Sequence, residues 1–520
     1  MFYKINTLIL ICFLLSFKLS ANSEKPNIIL INADDLGYGD LSCYGAIKVQ
    51  TPNIDDLAKK GRRYTDAHSP SAVCSPSRYG LLTGKYPIRK NFWGPTPNTQ
   101  ALTIERDQEN IASLMKKAGY ATAVIGKWHL GFGEKRCDWN KPLKPGPLEI
   151  GFDYYFGMPT VNSGSPYVYV ENHSVVDYDP KDPFVKGKPK TQKWPEKGMG
   201  NIGGAEKAHL LYRDEYVGTT FAEKAVGWIR KHKSEKADQP FFMYLATTNI
   251  HHPFTPHPQF QGTSQCGIYG DFIHELDWIV GQVTQTLDEL QLDNTLIVFT
   301  SDNGGMLNQG GQQAWKAGHR INGNLLGIKF GAWEGGHRVP FIVKWPGKVP
   351  AGTVSDTLIS QLDLFVTFAE ITGVTIPEGN KHDSINQLQE LRGESTKPLR
   401  NELLICPNSP KHLSIRKGTW VYIPHQDEGG FQGKKIGEHL LGGAAAHKLT
   451  KQINSDVENG KVKTDASKAQ LYNLKEDPYQ SRNVHDDYPE KVQELKALLN
   501  KWKGEIPSTP RLGWINLKQK

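Results

Sequence analysis

Four short apolar runs constrain the fold most. Asn27–Asn32 (NIILIN), Ala121–Ile125 (ATAVI), Phe241–Ala246 (FFMYLA) and Thr295–Thr300 (TLIVFT) lack the apolar–polar alternation of a strand with one wet face. Such runs suit strands buried on both faces, as in a parallel sheet covered by helices. Between them lie helical patterns. Asn110–Lys117 sets Ile111, Leu114 and Met115 at helical spacing, with Gly119 to end the helix. Asp271–Leu290 repeats apolar residues every three or four positions, from Ile273 to Leu290, and Asp293-Asn294 then turns the chain into the next strand. Val339–Val343 reads as one more strand. This alternation predicts an α/β fold: a large mixed, mostly parallel sheet with helices on both faces.

Two regions depart from the rhythm. Pro142–Gly204 is rich in Pro, Gly, Tyr and Lys and reads as a long loop. Beyond about residue 375 short strands (Leu403–Cys406, Leu413–Arg416, Trp420–Ile423) and a late helix near Pro489–Lys503 predict a smaller C-terminal α+β subdomain with a short antiparallel sheet. The expected division is therefore 24–375 and 376–520, with Gly429–Gly443 as loop. No internal repeat is visible.

The ends of the chain and its charge narrow the function. Lys4, the apolar run Leu8–Phe17 and the small residues Ser20, Ala21 and Ser23 read as a signal peptide over residues 1–23. The run falls short of the roughly 20 residues that span a bilayer. No Gly or Ala precedes Cys12, so a lipoprotein signal is not expected. The mature protein is expected to be exported, periplasmic or secreted, with no membrane attachment. Charged residues make up 22%, which excludes a disordered polyelectrolyte, and the net charge of +8 contains no dominating basic run, so nucleic acid is not an expected partner. Cys43, Cys74, Cys137, Cys266 and Cys406 remain after cleavage. The number is odd, which marks one thiol for another task. If that is Cys74, the other four allow three pairings or none. None forms a CxxC pair, so zinc is not expected.

The chemistry gathers where strands end, which is where open α/β sheets bind ligands. NIILIN leads into Asp34 and Asp35; TLIVFT leads into Ser301, Asp302 and Asn303; ATAVI leads into Gly126, Lys127, Trp128 and His129. One Asp-Asp pair can be a solvated turn. Two acidic strand ends offering only oxygen donors, Asp34, Asp35, Asp302 and Asn303, suit a hard cation, Ca2+ or Mg2+. In Ser71–Gly84 (SAVCSPSRYGLLTG), Pro76 suits the first turn of a helix. Cys74 then lies at the helix N-terminus, where an anion is favoured, and Arg78 follows one turn on. A buried structural cysteine is the plain alternative.

Cys74-Ser75-Pro76-Ser77-Arg78, with Leu81-Leu82-Thr83-Gly84, resembles the C-x-P-x-R signature of the type I sulfatases in the alkaline phosphatase superfamily. The resemblance runs along most of the chain: Asn27–Gly45, Thr51–Asp55, Gly126–Gly131 (GKWHLG), Gly151-Phe152-Asp153, His251 before His252-Pro253, Asp302-Asn303-Gly304, and Lys329 ahead of Glu334–Pro340 (EGGHRVP). Leu471–Leu474 with Asp477-Pro478 fits the family's C-terminal pattern. Asn324, Leu325 and Leu326 depart from the Pro-Leu-Arg often found before the active-site lysine.

The resemblance implies that Cys74 is oxidised to 3-oxoalanine (formylglycine) by a formylglycine-generating or sulfatase-maturing enzyme. One hydroxyl of its hydrate would attack sulfur and the other would expel sulfate. It implies one divalent cation, Ca2+ before Mg2+, held by Asp34, Asp35, Asp302, Asn303 and residue 74. Arg78, Lys127 and Lys329 would face the sulfuryl oxygens, His129 would assist the diol's proton transfers, and His251 with Lys329 would protonate the leaving oxygen. The expected substrate is a sulfated polysaccharide or its oligosaccharides, a marine algal polymer being one candidate. The alternatives are a phosphodiesterase or phosphonate monoester hydrolase of the same superfamily, a small-molecule arylsulfatase, and a non-catalytic glycan-binding protein. Lys181, Lys186, Lys188, Lys190, Lys193 and Lys197, with Tyr167, Tyr169, Tyr178 and Trp194, are expected to form a basic aromatic rim for anionic sugars, or else a solvated loop.

Overall fold

A computed structural model describes residues 25–164, 166–179, 181, 211–380, 382–430 and 440–513, together with the backbone of the strands Val185–Gly187 and Ile202–Gly204. The signal segment 1–23 lies outside the described residues, as do the side chains of Lys186, Lys188, Lys190, Lys193, Trp194 and Lys197.

The apolar runs become the centre of a ten-stranded sheet. Its strands are β1 (Asn27–Ala33), β2 (Arg62–Tyr64), β3 (Ala121–Lys127), β4 (Tyr154–Met158), β5 (Val170–Glu171), β6 (Ser174–Val175), β7 (Phe241–Ala246), β8 (Thr295–Ser301), β9 (Phe341–Lys344) and β10 (Thr353–Ser355). Their spatial order is β10-β2-β9-β8-β1-β7-β3-β4-β5-β6. The middle five, β8, β1, β7, β3 and β4, run parallel. Antiparallel pairs occur only on the flanks, where β9 meets β8 and β2, and β5 meets β4 and β6. The expected strand at Val339 starts later, at Phe341, because Pro340 has no N–H to give a ladder.

Each central strand feeds two cores. Ile29 and Ile31 of β1 pack on one face with Met243 and Leu245 of β7 and Ile297 and Phe299 of β8. Ile28 and Leu30 pack on the other with Phe242, Tyr244, Leu296 and Val298. Helices α1 (Pro52–Lys60), α4 (Val217–Glu235) and α5 (Ile268–Glu289) cover the first face. Helices α2 (Cys74–Thr83), α3 (Ile111–Lys117) and α6 (Leu364–Thr372) cover the second. Thr51 provides no side-chain cap for α1. Asp277 of α5 does so instead, accepting from the backbone N–H of Ile54 at 2.9 Å and from Asn53 Nδ2 at 2.7 Å.

The region read as a loop from Pro142 holds more order than its composition suggests. It contributes β4 and the β5–β6 hairpin to the sheet, and Tyr167 and Tyr169 are buried in the core. Those two tyrosines therefore do not line a rim.

The C-terminal strands β11 (Glu402–Ile405), β12 (Ser414–Lys417), β13 (Trp420–Ile423) and β14 (Gln470–Asn473) form an antiparallel sheet in that order. Helix α7 (Pro489–Gly504) covers one face through Leu495 and Leu499. Of the expected glycine-rich loop, Leu440–Leu441 instead pairs with Leu307–Asn308.

Candidate active site

Strand β1 ends at Ala33, and the next two residues are the buried carboxylates Asp34 and Asp35. Asp35 has φ of 61°, a turn that brings its backbone N–H within 3.2 Å of Asp302 Oδ1, beyond the end of β8. Asn303 Nδ2 donates to Asp35 Oδ1 at 2.9 Å. Oxygens of Asp34, Asp35 and Asp302 thus lie within 4.8 Å of one another. Asp35 Oδ2 and Asn303 Oδ1 are buried with no hydrogen-bond donor. Unpaired oxygens converging in this way fit a hard cation.

Each carboxylate also meets a cation, and Asp34 lies within 3.6 Å of Arg78 Nη2 as well as beside Lys127. Arg78 Nε and Nη2 reach Asp302 Oδ2 at 2.9 and 2.7 Å. Lys127 Nζ donates to both oxygens of Asp34, at 2.8 and 2.6 Å. Lys329 Nζ donates to Asp35 Oδ1. Burial opposes the Lys329 ammonium, yet Asp35 holds its proton affinity above the usual lysine value. Local backbone chemistry aims these groups. Gly126, with φ of 112°, sits so close to β7 that a Cβ would fall 1.9 Å from the Ala246 oxygen, and the chain turns there to present Lys127.

Cys74 opens α2, whose N-cap Val73 offers no side-chain cap. Burial raises the thiol's pKa, although Lys127 and Lys329 pull it back. His129 Nε2 faces the backbone oxygen of Thr96 at 3.3 Å, and its Nδ1 has no partner. Burial, then Lys127 and Arg78, hold this imidazole well below the ordinary histidine range. His251 Nε2 lies 3.8 Å from Asp35 Oδ2, and burial, His252 and the two lysines likewise depress it.

All ten residues singled out from the sequence converge. Several supporting residues were not singled out. Ser301 Oγ accepts from the Leu36 N–H at 3.0 Å, and Asp40 accepts from Gly37 N–H, Tyr269 and His319, so the acidic loop is pinned from three sides. Asn162 holds His251. Asp40 was open to discovery as one more acid in the acidic loop, but Asn162 lay in a stretch that gave no periodic signal. Leu325 and Leu326, the departure before Lys329, are simply buried, Leu326 against the C-terminal sheet.

A profile of the sulfatase family matches residues 26–374. The chain is 40% identical over 509 residues to an N-acetylgalactosamine-6-O-sulfatase of Bacteroides thetaiotaomicron, covering 92% of this chain and 93% of that one. It is 35% identical to human N-acetylgalactosamine-6-sulfatase over 72% of this chain and 67% of the human protein. A B. thetaiotaomicron structure, solved in work on the metabolism of multiple glycosaminoglycans, superimposes with a TM-score of 0.79 at 37% identity, covering 92% of this chain and all of that one. The chain belongs to the sulfatase family, and it hydrolyses sulfate esters.

Proposed function

We propose that the protein is an exported glycan sulfatase whose nucleophile derives from Cys74 and whose substrate is a 6-O-sulfated amino sugar within a glycosaminoglycan or its fragments. The carrying observation is the pairing of three buried carboxylates with three buried cations around residue 74. The charges balance until a divalent ion is added, which leaves two positive charges. That excess matches a singly charged sulfate ester joined by an oxyanion nucleophile.

Asp34, Asp35, Asp302, Asn303 and residue 74 are the proposed cation ligands, with Ca2+ preferred. Bound there, the ion supplies Lewis acidity toward a sulfate oxygen and the nucleophile. Formylglycine at position 74 supplies, once hydrated, one hydroxyl to attack sulfur and a second to expel sulfate. An unmodified thiol offers a single nucleophilic group, so it could attack sulfur but would have no second hydroxyl to expel sulfate. Arg78, Lys127 and Lys329 orient the sulfuryl oxygens. His129 holds an open Nδ1 for the nucleophile's proton, while its Nε2 is occupied by the Thr96 oxygen. His251 and Lys329 stand beside Asp35 as proton donors to the leaving oxygen.

The name of the 40% identical relative favours the amino sugar over an algal polymer. We also propose residues 1–23 as the export signal, 24–375 as the catalytic domain and 376–520 as its subdomain. Released sulfate from defined sulfated oligosaccharides tests the substrate. Rates on 6-O-sulfated N-acetylgalactosamine units should exceed those on 4-O-sulfated units, aryl sulfates and phosphonate monoesters. A faster phosphonate reaction would overturn the reading.

A further inference from the structure

We infer that His68, His337 and Glu334 hold a second metal ion, a structural zinc, apart from the oxygen cluster at the strand ends. His68 lies in the short strand Ala67–His68 that follows β2, and His337 ends the helical turn Glu334–His337 that precedes β9. The Ser69 N–H donates to the His337 oxygen at 2.9 Å, which ties the two segments together. All three side chains are buried, none more than 1% exposed. One nitrogen of each ring and one carboxylate oxygen of Glu334 lie within 4.8 Å of one another.

The hydrogens decide what the pocket can hold. His68 Nε2 lies 2.8 Å from Asp66 Oδ1. Arg416 donates to both Asp66 oxygens, at 2.8 and 2.5 Å, which keeps the carboxyl ionised and able only to accept. His68 Nε2 therefore carries hydrogen. His337 Nε2 faces the backbone oxygen of Ala332 at 3.3 Å, again an acceptor, so it carries hydrogen too. In neutral rings each Nδ1 is then a bare lone pair. The two Nδ1 atoms face each other at 2.9 Å. Glu334 adds a third acceptor. Its Oε2 takes a hydrogen bond from Arg338 at 3.2 Å, while its Oε1 is buried with no hydrogen-bond partner among the described residues. Acceptors gathered with no hydrogen between them repel unless a cation joins them.

The outer contacts are those of metal-bound imidazoles: one ring gives its other N–H to a carboxylate, the second to a backbone carbonyl. Two imidazoles and one carboxylate form a zinc-type donor set. Arg338 and Arg416 already offset Glu334 and Asp66, so nitrogen lone pairs, more than excess negative charge, draw the ion. That favours Zn2+ over Ca2+ or Mg2+, which need anionic oxygen. Zn–N bonds of about 2.0–2.1 Å at a tetrahedral angle set the nitrogens about 3.3 Å apart, so the rings part by about 0.4 Å on binding. His68 and His337 are 269 residues apart, so no spaced motif announces them, and the missing CxxC pair bears only on cysteine sites. Through Asp66 and Arg416 the ion would join the segment leading to Cys74 with the C-terminal sheet.

The test dialyses the purified protein against excess Zn2+ with Ca2+ present, removes loose metal by gel filtration and measures bound zinc. Wild type should keep one zinc per chain. X-ray absorption at the zinc edge should show nitrogen and oxygen neighbours at about 2.0–2.1 Å and no sulfur. Saturating zinc should raise the melting temperature. Asp35→Asn, which alters the oxygen cluster, should keep this zinc. His337→Gln and Glu334→Gln should each bind it at least about 10-fold more weakly, and their melting temperatures should not respond to zinc. A wild type that keeps no zinc would overturn the inference and leave the two rings sharing a proton. Zinc kept equally by His337→Gln, or lost in Asp35→Asn, would overturn it as well. If neither site variant folds, the wild-type absorption spectrum decides: fewer than two imidazoles around the ion would overturn the inference.

Discussion

Cys74 is surrounded by charge yet touches apolar side chains, Val73, Met306 and Phe330 among them. A residue so enclosed tolerates truncation to a small side chain, because the wall around it is made by others. Cys74→Ala is expected to remove sulfate release while leaving the thermal transition within a few degrees of wild type; reaction of the purified parent with an aldehyde-specific hydrazide, absent in the variant, would identify the modified residue. The oxygen cluster leads to a second expectation at this scale. Exhaustive treatment with a calcium chelator should abolish turnover, and added Ca2+ should restore it. Stoichiometric zinc at this cluster in the active protein would contradict the proposed ligand set, in which Asp34, Asp35, Asp302 and Asn303 offer oxygen donors. The residues that form this cluster were legible because acids at two strand ends are rare without a reason. Asn162 was not legible, since one Asn in an aperiodic stretch carries no pattern until its loop is seen folded against His251.

Among the elements, α5 connects the distant parts. It caps α1 through Asp277 and sends the buried Glu275 toward the loop before His251, where Asn249 Nδ2 lies 3.3 Å from its carboxylate. Burial lifts Glu275 to about 8 from an ordinary 4.5. A carboxyl raised on folding binds more protons in the native state, so its contribution is full below pH 4.5 and is lost as pH rises toward 8. Each tenfold difference in proton affinity is worth about 1.4 kcal/mol. Denaturant unfolding of Glu275→Gln across this window should give a flatter stability profile than wild type; a parallel profile would show that the group is not buried in this way. Asp277→Ala should cost roughly 1 kcal/mol, as loss of a helix cap does, measured by the same unfolding. The elements themselves were read well where strands were apolar and long. They were missed at β4, whose Gly157 looks like a loop residue. A Cβ there would lie 1.8 Å from the Gly126 oxygen, so glycine is present to let β3 and β4 approach.

Across the whole molecule, the C-terminal sheet serves as a wall of the reaction site. The Cys406 backbone oxygen accepts from Ala72 N–H at 3.0 Å and Ser71 Oγ at 2.8 Å, just ahead of Cys74. Glu428 accepts from Ala332 N–H through its backbone oxygen at 2.7 Å, beside the loop of Lys329. Arg416 pairs with Asp66 at 2.8 Å through Nη1, where both side chains are buried. Arg416→Ala should destabilise the protein by about 2 kcal/mol, because the buried Asp66 carboxylate then keeps only His68 at 2.8 Å and Arg338 at 3.6 Å. Asp66→Asn with Arg416→Met should recover part of that loss in denaturant unfolding, since the two residues share one interaction. The change of pattern near residue 375 announced a separate unit in the sequence. That the unit would supply hydrogen bonds to the nucleophile loop was not readable, because backbone carbonyls carry no residue signature. The bonds from Ser71 and Ala72 to Cys406 have a consequence in time. Ribosomes add about 5–20 residues per second, so roughly 15 to 65 seconds separate the synthesis of position 74 from that of position 406. Through that interval the nucleophile loop lacks the carbonyl that Ser71 and Ala72 bind in the folded protein. Once residues 376–520 arrive and dock, the interval ends and the Cys74 side chain is enclosed.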